Sequence, residues 1–278
     1  MYNVAEEGGM IMSGLLVGQV QKLLNISRET LRYFEKKKIV VARKSDNNYR
    51  YYDDWDINYL IEYKKFRSYD FNVNQSKEIL HEDSLEDLQK KFGENNKRLE
   101  EQIKRYNLLL EKGIQYEKEL ERIEEKIDSY SLVDMESFYY FKIRYNNDYL
   151  CDSDTTSLFS SWSEEFPLVD PILVINKAYD KNYECALSIP EKYQQKLRLP
   201  MNHLVRKIEK GKALNFVIVA GDKNTFTTDL LMPAYQYIEQ NGYMMNGPVI
   251  GYYQARVHEK GGYKRYIEIV IPIVKKSA

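Results

Sequence analysis

The sequence predicts an α+β chain in three parts: a small helical head carrying a β-wing, one long helix, and a C-terminal antiparallel sheet with helices packed on one side. Three observations predict it. Residues 14–80 show short helical patterns broken by turn signals, and residues 81–130 form a polar stretch without proline and with a sustained apolar repeat. Residues 131–278 hold all seven prolines together with β-branched and aromatic runs. At 278 residues the chain is long for one domain and comfortable for two with a connector. The expected parts are a disordered leader (1–13), the head (14–81), the connecting helix (82–130) and the C-terminal domain (131–278).

Composition narrows the function classes. No apolar run approaches the ~20 residues that a membrane span needs, so no membrane partner is expected. Met1–Gly9 carry acids and no apolar core, which is not a secretory signal; Met10 and Met12 are alternative starts. Cys151 and Cys185 are too few for a disulfide framework and too far apart for a CxxC site, which fits a reducing cytoplasm. His81, His203 and His258 are scattered, and neither a metal nor a cofactor is expected. The formal net charge of -1 hides a basic block. Between Gln19 and Tyr52 stand Lys22, Arg28, Arg32, Lys36, Lys37, Lys38, Arg43, Lys44 and Arg50, against Glu29, Glu35 and Asp46. That block suits nucleic acid, or else a solvated basic face.

In the head, Val17, Val20 and Leu24 fall at i, i+3 and i+7, the spacing of a two-turn amphipathic helix that Asn25-Ile26 ends. Ser27 is a good N-cap for a second helix with Leu31 and Phe34 inward. Arg28 and Arg32, four apart, share its outer face. Two helices across a tight turn, with an outward arginine pair, suit a major groove. Ala42–Asn48 is turn-rich between Val40-Val41 and Tyr49-Arg-Tyr-Tyr52, which reads as a β-wing. Asp53 and Asp56 can box the start of a third helix with Ile57, Leu60 and Ile61 inward, and a shorter helix follows near 74–80.

Val17-Gly-Gln-Val-Gln, Ser27-Arg-Glu-Thr-Leu-Arg-Tyr-Phe-Glu35 and Asn48-Tyr-Arg-Tyr-Tyr52-Asp, in that order, resemble the MerR family over residues 14–80. The resemblance implies a winged helix-turn-helix that binds a pseudo-palindromic promoter as a dimer. It implies phosphate contacts for Tyr33 and Arg50, with Tyr49 and Tyr51 of the same run beside them. Arg67 would hold the backbone near the site centre. Arg28 would read a base, since an outward arginine can pair bidentately with guanine. Three residues depart from the pattern: Lys38 and Asp70 stand where glycines are usual, and Phe34 replaces a common tyrosine.

From Leu85 a 3-4 spacing runs through Leu88, Phe92, Asn95, Leu99, Gln102, Tyr106, Leu109, Gly113, Tyr116, Leu120, Ile123 and Ile127. It reads as a coiled-coil seam, with Asn95, Gln102 and Gly113 as weak positions; the alternative is a long helix packed on its own C-terminal domain. The resemblance implies an antiparallel pair between two subunits of a homodimer. Metal and redox sensors of that family end soon after this helix and cluster cysteines there. Here only Cys151 follows, so a metal or iron–sulfur sensor is not expected.

Beyond it, strands are expected at 138–145, 171–175, 183–189, 204–208, 214–220, 249–257 and 263–273, and helices near 155–164 and 225–240. Asn241-Gly242 would cap the second helix and Gly261-Gly262 would turn between the last two strands. Val205-Arg-Lys-Ile208, Gly211–Phe216, Asn241-Gly-Tyr243, Gly247-Pro248 and Tyr266-Ile-Glu-Ile-Val-Ile-Pro272 resemble the GyrI-like effector domain, which implies a pocket for bulky, often cationic, aromatic compounds. Alternation puts Tyr266, Glu268 and Val270 on one face. A lone carboxylate among apolar neighbours lacks a partner that a cationic ligand could supply. The chain has 25 tyrosines, of which Tyr140, Tyr252, Tyr253 and Tyr266 are candidate walls, with Trp162. Gly251 stands where some relatives carry a second pocket acid. The two resemblances together imply a cytoplasmic, ligand-responsive activator that distorts promoter DNA so that RNA polymerase can engage it. The rival is a hydrolase-like domain using Glu268 with a tyrosine as acid and base, though no nucleophile–base set is visible.

Overall fold

The computed structural model describes residues 14–44, 48–127, 129–145, 148–222, 225–259 and 261–276. The expected leader (1–13) and the wing residues 45–47 lie outside them. The chain forms two compact units, one ending at Lys104 and one starting at Arg105.

The first unit opens with β1 (Leu15–Leu16), α1 (Val17–Leu24) and α2 (Arg28–Lys36). Asn25, at φ 49°, ends α1. Ser27 caps α2 by accepting the Thr30 N–H at 3.0 Å, which satisfies one of the orphan donors of a helix start. The wing is β2 (Arg43–Lys44) and β3 (Arg50–Tyr52), and β3 pairs with both β1 and β2. Asp53 and Asp56 then box the start of α3 (Asp54–Ser68), each carboxylate accepting the other's backbone N–H at 2.9 and 3.0 Å. Asn72 and Gln75 repeat that box for α4 (Val73–His81). Val20, Leu31, Ile39, Tyr52 and Leu60 form the core. Ile61, expected inward, is 48% exposed, because the inner stripe of α3 runs Ile57, Leu60, Tyr63, Phe66 at every third residue.

The next helix, α5 (Leu85–Glu121), is 37 residues long. Its early seam residues are used within the first unit. Phe92 packs edge-on against Phe66, Tyr69 and Phe71, and buried Asn95 donates to the Tyr69 carbonyl at 2.8 Å. Later seam residues are used within the second unit, where Leu109 packs on a core cluster and the Tyr116 hydroxyl donates to the Gln254 carbonyl. Among the large apolar side chains that α5 leaves exposed, Ile103, Tyr106, Leu110 and Ile114 follow one another at spacings of three and four; Tyr106 belongs to the expected seam, and Leu85, Tyr116 and Leu120 of that seam are exposed as well.

The second unit continues through a 3₁₀ turn (Glu124–Lys126), β4 (Ser131–Met135), β5 (Phe138–Tyr145), β6 (Asp148–Tyr149), α6 (Ser153–Ser163), β7 (Asp170–Ile175), β8 (Glu184–Pro190) and α7 (Glu191–Leu197). It ends with β9 (Arg206–Ile208), β10 (Gly211–Ala220), α8 (Met232–Gln240), β11 (Tyr243–Met245), β12 (Val249–Glu259) and β13 (Gly262–Lys275). The sheet is antiparallel in the order β4-β10-β13-β12-β7-β8-β5-β6, with β11 on β13 and β9 on β5. Gly242 and Gly262 take φ of 75° and 108° at the two expected turns, where an L side chain would be strained. Helices α6 and α8 lie on one face. Under α8 are Leu173, Phe216, Ile267, Ile269 and Ile271; under α6 are Phe141, Leu187 and Ile189. The opposite parity gives the other face, with Phe138, Tyr140, Ile172, Val174, Ile250 and Val270.

Candidate nucleic-acid interface and ligand cavity

Helix α2 buries Leu31 and Phe34 and exposes Arg28, Arg32 and Tyr33. Phe34 meets the Tyr63 ring edge-on at 4.9 Å, so this position serves the core and not a phosphate. Tyr49 is exposed and Tyr51 half-buried beside β1. Two of the expected phosphate contacts have partners inside the unit. Arg50 pairs with Glu35 at 2.6 Å, and Glu35 also accepts the Tyr52 hydroxyl, which braces α2 against β3. Arg67, otherwise exposed on α3, donates to the Phe71 carbonyl. Lys38 and Asp70 take left-handed φ of 57° and 68°, the conformation a glycine adopts without strain.

In the second unit a cavity of about 420 Å³ opens between the sheet face opposite α6 and α8 and the C-terminal half of α5. Lys112, Tyr116 and Glu119, at i, i+4 and i+7, form its helical wall; Val133 and Met135 of β4, Phe138, Pro171 and Val270 form its apolar wall. Glu268 sits in the middle of β13, directly opposite Tyr252 of β12. It is 9% exposed and has three partners: Asn215 Nδ2 donates at 2.8 Å, Gln254 Nε2 at 2.5 Å, and the Lys126 ammonium closes an ion pair. Gln254 reaches it because the β12–β13 register slips between Tyr253 and Ala255, a bulge that re-aims one side chain. The carboxylate expected to lack a counter-charge is therefore served by the chain's own lysine.

A second carboxylate, Asp170, stands at the start of β7 and pairs with Lys112 at 2.7 Å. Burial raises its pKa above the ordinary carboxylate range, and Lys112 opposes the rise. Burial, reinforced by Asp170 and Glu268, raises the Tyr252 phenol far above the ordinary range. Tyr253 touches the cavity and also packs on the core beneath α8; burial pushes it up to about 12.

Of the residues expected to hold a ligand, the cavity brings together Glu268, Tyr252 and Tyr253. Tyr140 is buried in the core of the cavity-side face, and Tyr266 is buried next along from Glu268 without lining the cavity. Trp162 is fully buried on the opposite side of the sheet, edge-on to Phe141 at 5.0 Å, with Nε1 donating to the Pro200 carbonyl at 3.0 Å. It is a core residue and no wall of this cavity. Gly251 faces that opposite side too, where a Cβ would lie 2.5 Å from Leu173 Cγ, so no acid fits at 251. Sequence reading missed Lys112, Lys126, Asp170, Asn215 and Gln254. Only Asn215 left a trace, as a polar residue inside the apolar run Ala213–Val217.

Residues 16–83 match the family described as MerR HTH family regulatory protein. The chain carries a MerR-family helix-turn-helix. No curated protein sequence matches the chain. Among solved structures, the chain is similar to EcmrR in a cryo-EM structure of an EcmrR-DNA complex in EcmrR-RPo. The two are 16% identical over 95% of this chain and 100% of that one, with a TM-score of 0.35. A MerR-family transcriptional regulator from Bacillus cereus is 15% identical over 39% of this chain and 84% of its own, with a TM-score of 0.36. A protein from Listeria innocua described as a hydrolase is 10% identical over 57% and 98%, with a TM-score of 0.35. At these scores the likenesses carry no argument about activity. Among the described residues, no helix is long and apolar enough to cross a membrane.

Proposed function

We propose that the chain is a ligand-controlled transcription regulator that binds promoter DNA as a homodimer. A bulky, cationic or aromatic small molecule in the cavity favours a state that distorts the duplex, so that RNA polymerase can engage. The observation that carries this reading is α2, capped by Ser27, anchored by Leu31 and Phe34, and presenting Arg28 and Arg32 outward on a MerR-type head. Arg28 reads a base edge; Tyr33, Tyr49, Tyr51 and Arg67 position the phosphates; Arg50 acts as a brace of α2 and β3 as well as a contact. The exposed stripe of Ile103, Tyr106, Leu110 and Ile114 supports pairing of α5 with a second copy. The apolar wall around Glu268 and Asp170 supports the ligand class, and residues 131–278 act as a GyrI-like effector domain. Bending a duplex by tens of degrees costs roughly 1–6 kcal/mol, so a modest preference of the ligand for the distorting state suffices.

The test is a mobility-shift titration of the full chain on promoter duplexes, paired with transcription across a panel of lipophilic cations. Arg28→Ala relaxes sequence preference, while Arg67→Ala weakens binding to all sequences alike. Unchanged operator discrimination in Arg28→Ala, or no salt-sensitive DNA affinity in the parent protein, overturns the reading.

A further inference from the structure

Lys126 lies at the end of the 3₁₀ turn that follows α5, and its ammonium is spent on Glu268, 142 residues further along the chain. The neighbouring Ile127 forms a parallel bridge with Val217, and Val217 is the β10 residue directly opposite Glu268. The lysine is thus delivered to the carboxylate by backbone pairing one residue away. The remaining acceptor capacity of Glu268 is taken by two neutral amides, Asn215 and Gln254, which hold the carboxylate in place but bring no charge.

We propose that Lys126 is a tethered competitor: a cationic effector binds by displacing its ammonium from Glu268, and Lys126 thereby sets which cations the site accepts. This inference rests on the effector-cavity reading above. A buried carboxylate left without a counter-charge is costly, so the pair is exchanged and not merely broken. Only 18% of the Lys126 side chain is exposed, and release returns a compact, strongly hydrated ammonium to water. A small primary ammonium would have to give up the same hydration to enter, and gains nothing over the lysine. A lipophilic cation with delocalised or shielded charge gives up little, and its body covers Phe138, Pro171, Tyr252 and Val270. The site therefore selects lipophilic cations over alkylammonium ions and over neutral compounds, which leave the ion pair intact. Exchange at Glu268 also frees the turn directly behind α5, which links cavity occupancy to the end of that helix.

The experiment is calorimetric titration of the full chain with tetraphenylphosphonium and with neutral triphenylphosphine oxide. Lys126→Met, which removes the competitor, tightens the phosphonium by about tenfold and leaves the oxide unchanged. Lys126→Arg keeps wild-type affinity, and Glu268→Gln abolishes the gain when combined with Lys126→Met. If Lys126→Met does not fold, Lys126→Gln, a neutral donor to Glu268, takes its place with the same expected direction. Equal phosphonium affinity in wild type and Lys126→Met, or equal gains for both compounds, overturns the competitor role while leaving the cavity reading standing. Binding of neither compound to any folded variant overturns the cavity reading, and the competitor with it.

Discussion

Replacing Lys38 with glycine should stabilise the head, and the size of the gain follows from two opposed quantities. Lys38 holds φ at 57° directly after α2, and a left-handed backbone costs an L-residue roughly 1–2 kcal/mol. Glycine removes that cost but loosens the unfolded chain, which takes back about 0.4–1 kcal/mol. Nothing else is lost. The side chain is exposed, and the bonds that close the helix end, from the Lys38 N–H to Glu35 at 3.0 Å and from the Ile39 N–H to Phe34 at 2.9 Å, are made by backbone. The net gain is about 0.5–1 kcal/mol, which corresponds to roughly two- to fivefold slower exchange of the Leu31 and Phe34 amides at a given pH. Asp70→Gly is the internal comparison. Aspartate visits the left-handed region more readily, and this substitution also removes an exposed ion pair with Arg98 at 2.8 Å worth about 0–1 kcal/mol. Its net effect should be near zero. Hydrogen exchange on the full-length protein reads both variants. Faster exchange in Lys38→Gly, or a larger gain in Asp70→Gly, would refute the reasoning.

Gly251→Ala should cost about 1–3 kcal/mol by overpacking against Leu173, measured by urea denaturation; a neutral result would mean that Leu173 can move aside. Leu110→Glu, in the exposed stripe of α5, should convert a dimer to monomer in sedimentation analysis without loss of helix content; a dimer of unchanged affinity would remove that stripe from the interface. Asp152 caps α6, and bonds from the Thr155 N–H and hydroxyl hold its carboxyl below the usual range. Its folded value is lower than its unfolded one, so its contribution is complete above the ordinary carboxylate range and lost as pH falls through the folded value. Asp152→Asn should flatten the acid limb of the stability profile, and an unaltered limb would argue against the cap.

The head was legible because its signals are local. Ser27 and Thr30, or Asp53 and Asp56, are three residues apart, and the periods of α1 and α2 name their own inner faces. The long helix was legible as a helix but not in its partners. Apolar spacing states that Phe92, Leu109 and Tyr116 are covered, and cannot state by what; Phe92 and Leu109 pack within the chain, while Tyr116 stays exposed and reaches it only through its hydroxyl bond to the Gln254 carbonyl. The cavity was half visible. Alternation along β13 put Glu268 and Val270 on one face, yet the charges that complete it come from Lys126, Lys112 and Asp170, which share no local pattern with Glu268. Trp162 was suggested as a wall by its residue type and position 251 by resemblance, while packing puts both on the side of the sheet opposite the cavity.

The helical wall of the cavity has an evolutionary corollary. New ligand preferences would be written into the residues that serve as wall, and Lys112, Tyr116 and Lys126 among them lie on α5 or in the turn behind it. A lineage that retunes what it senses would then alter the same helix that we propose joins the two copies, so recognition and response are inherited as a single trait.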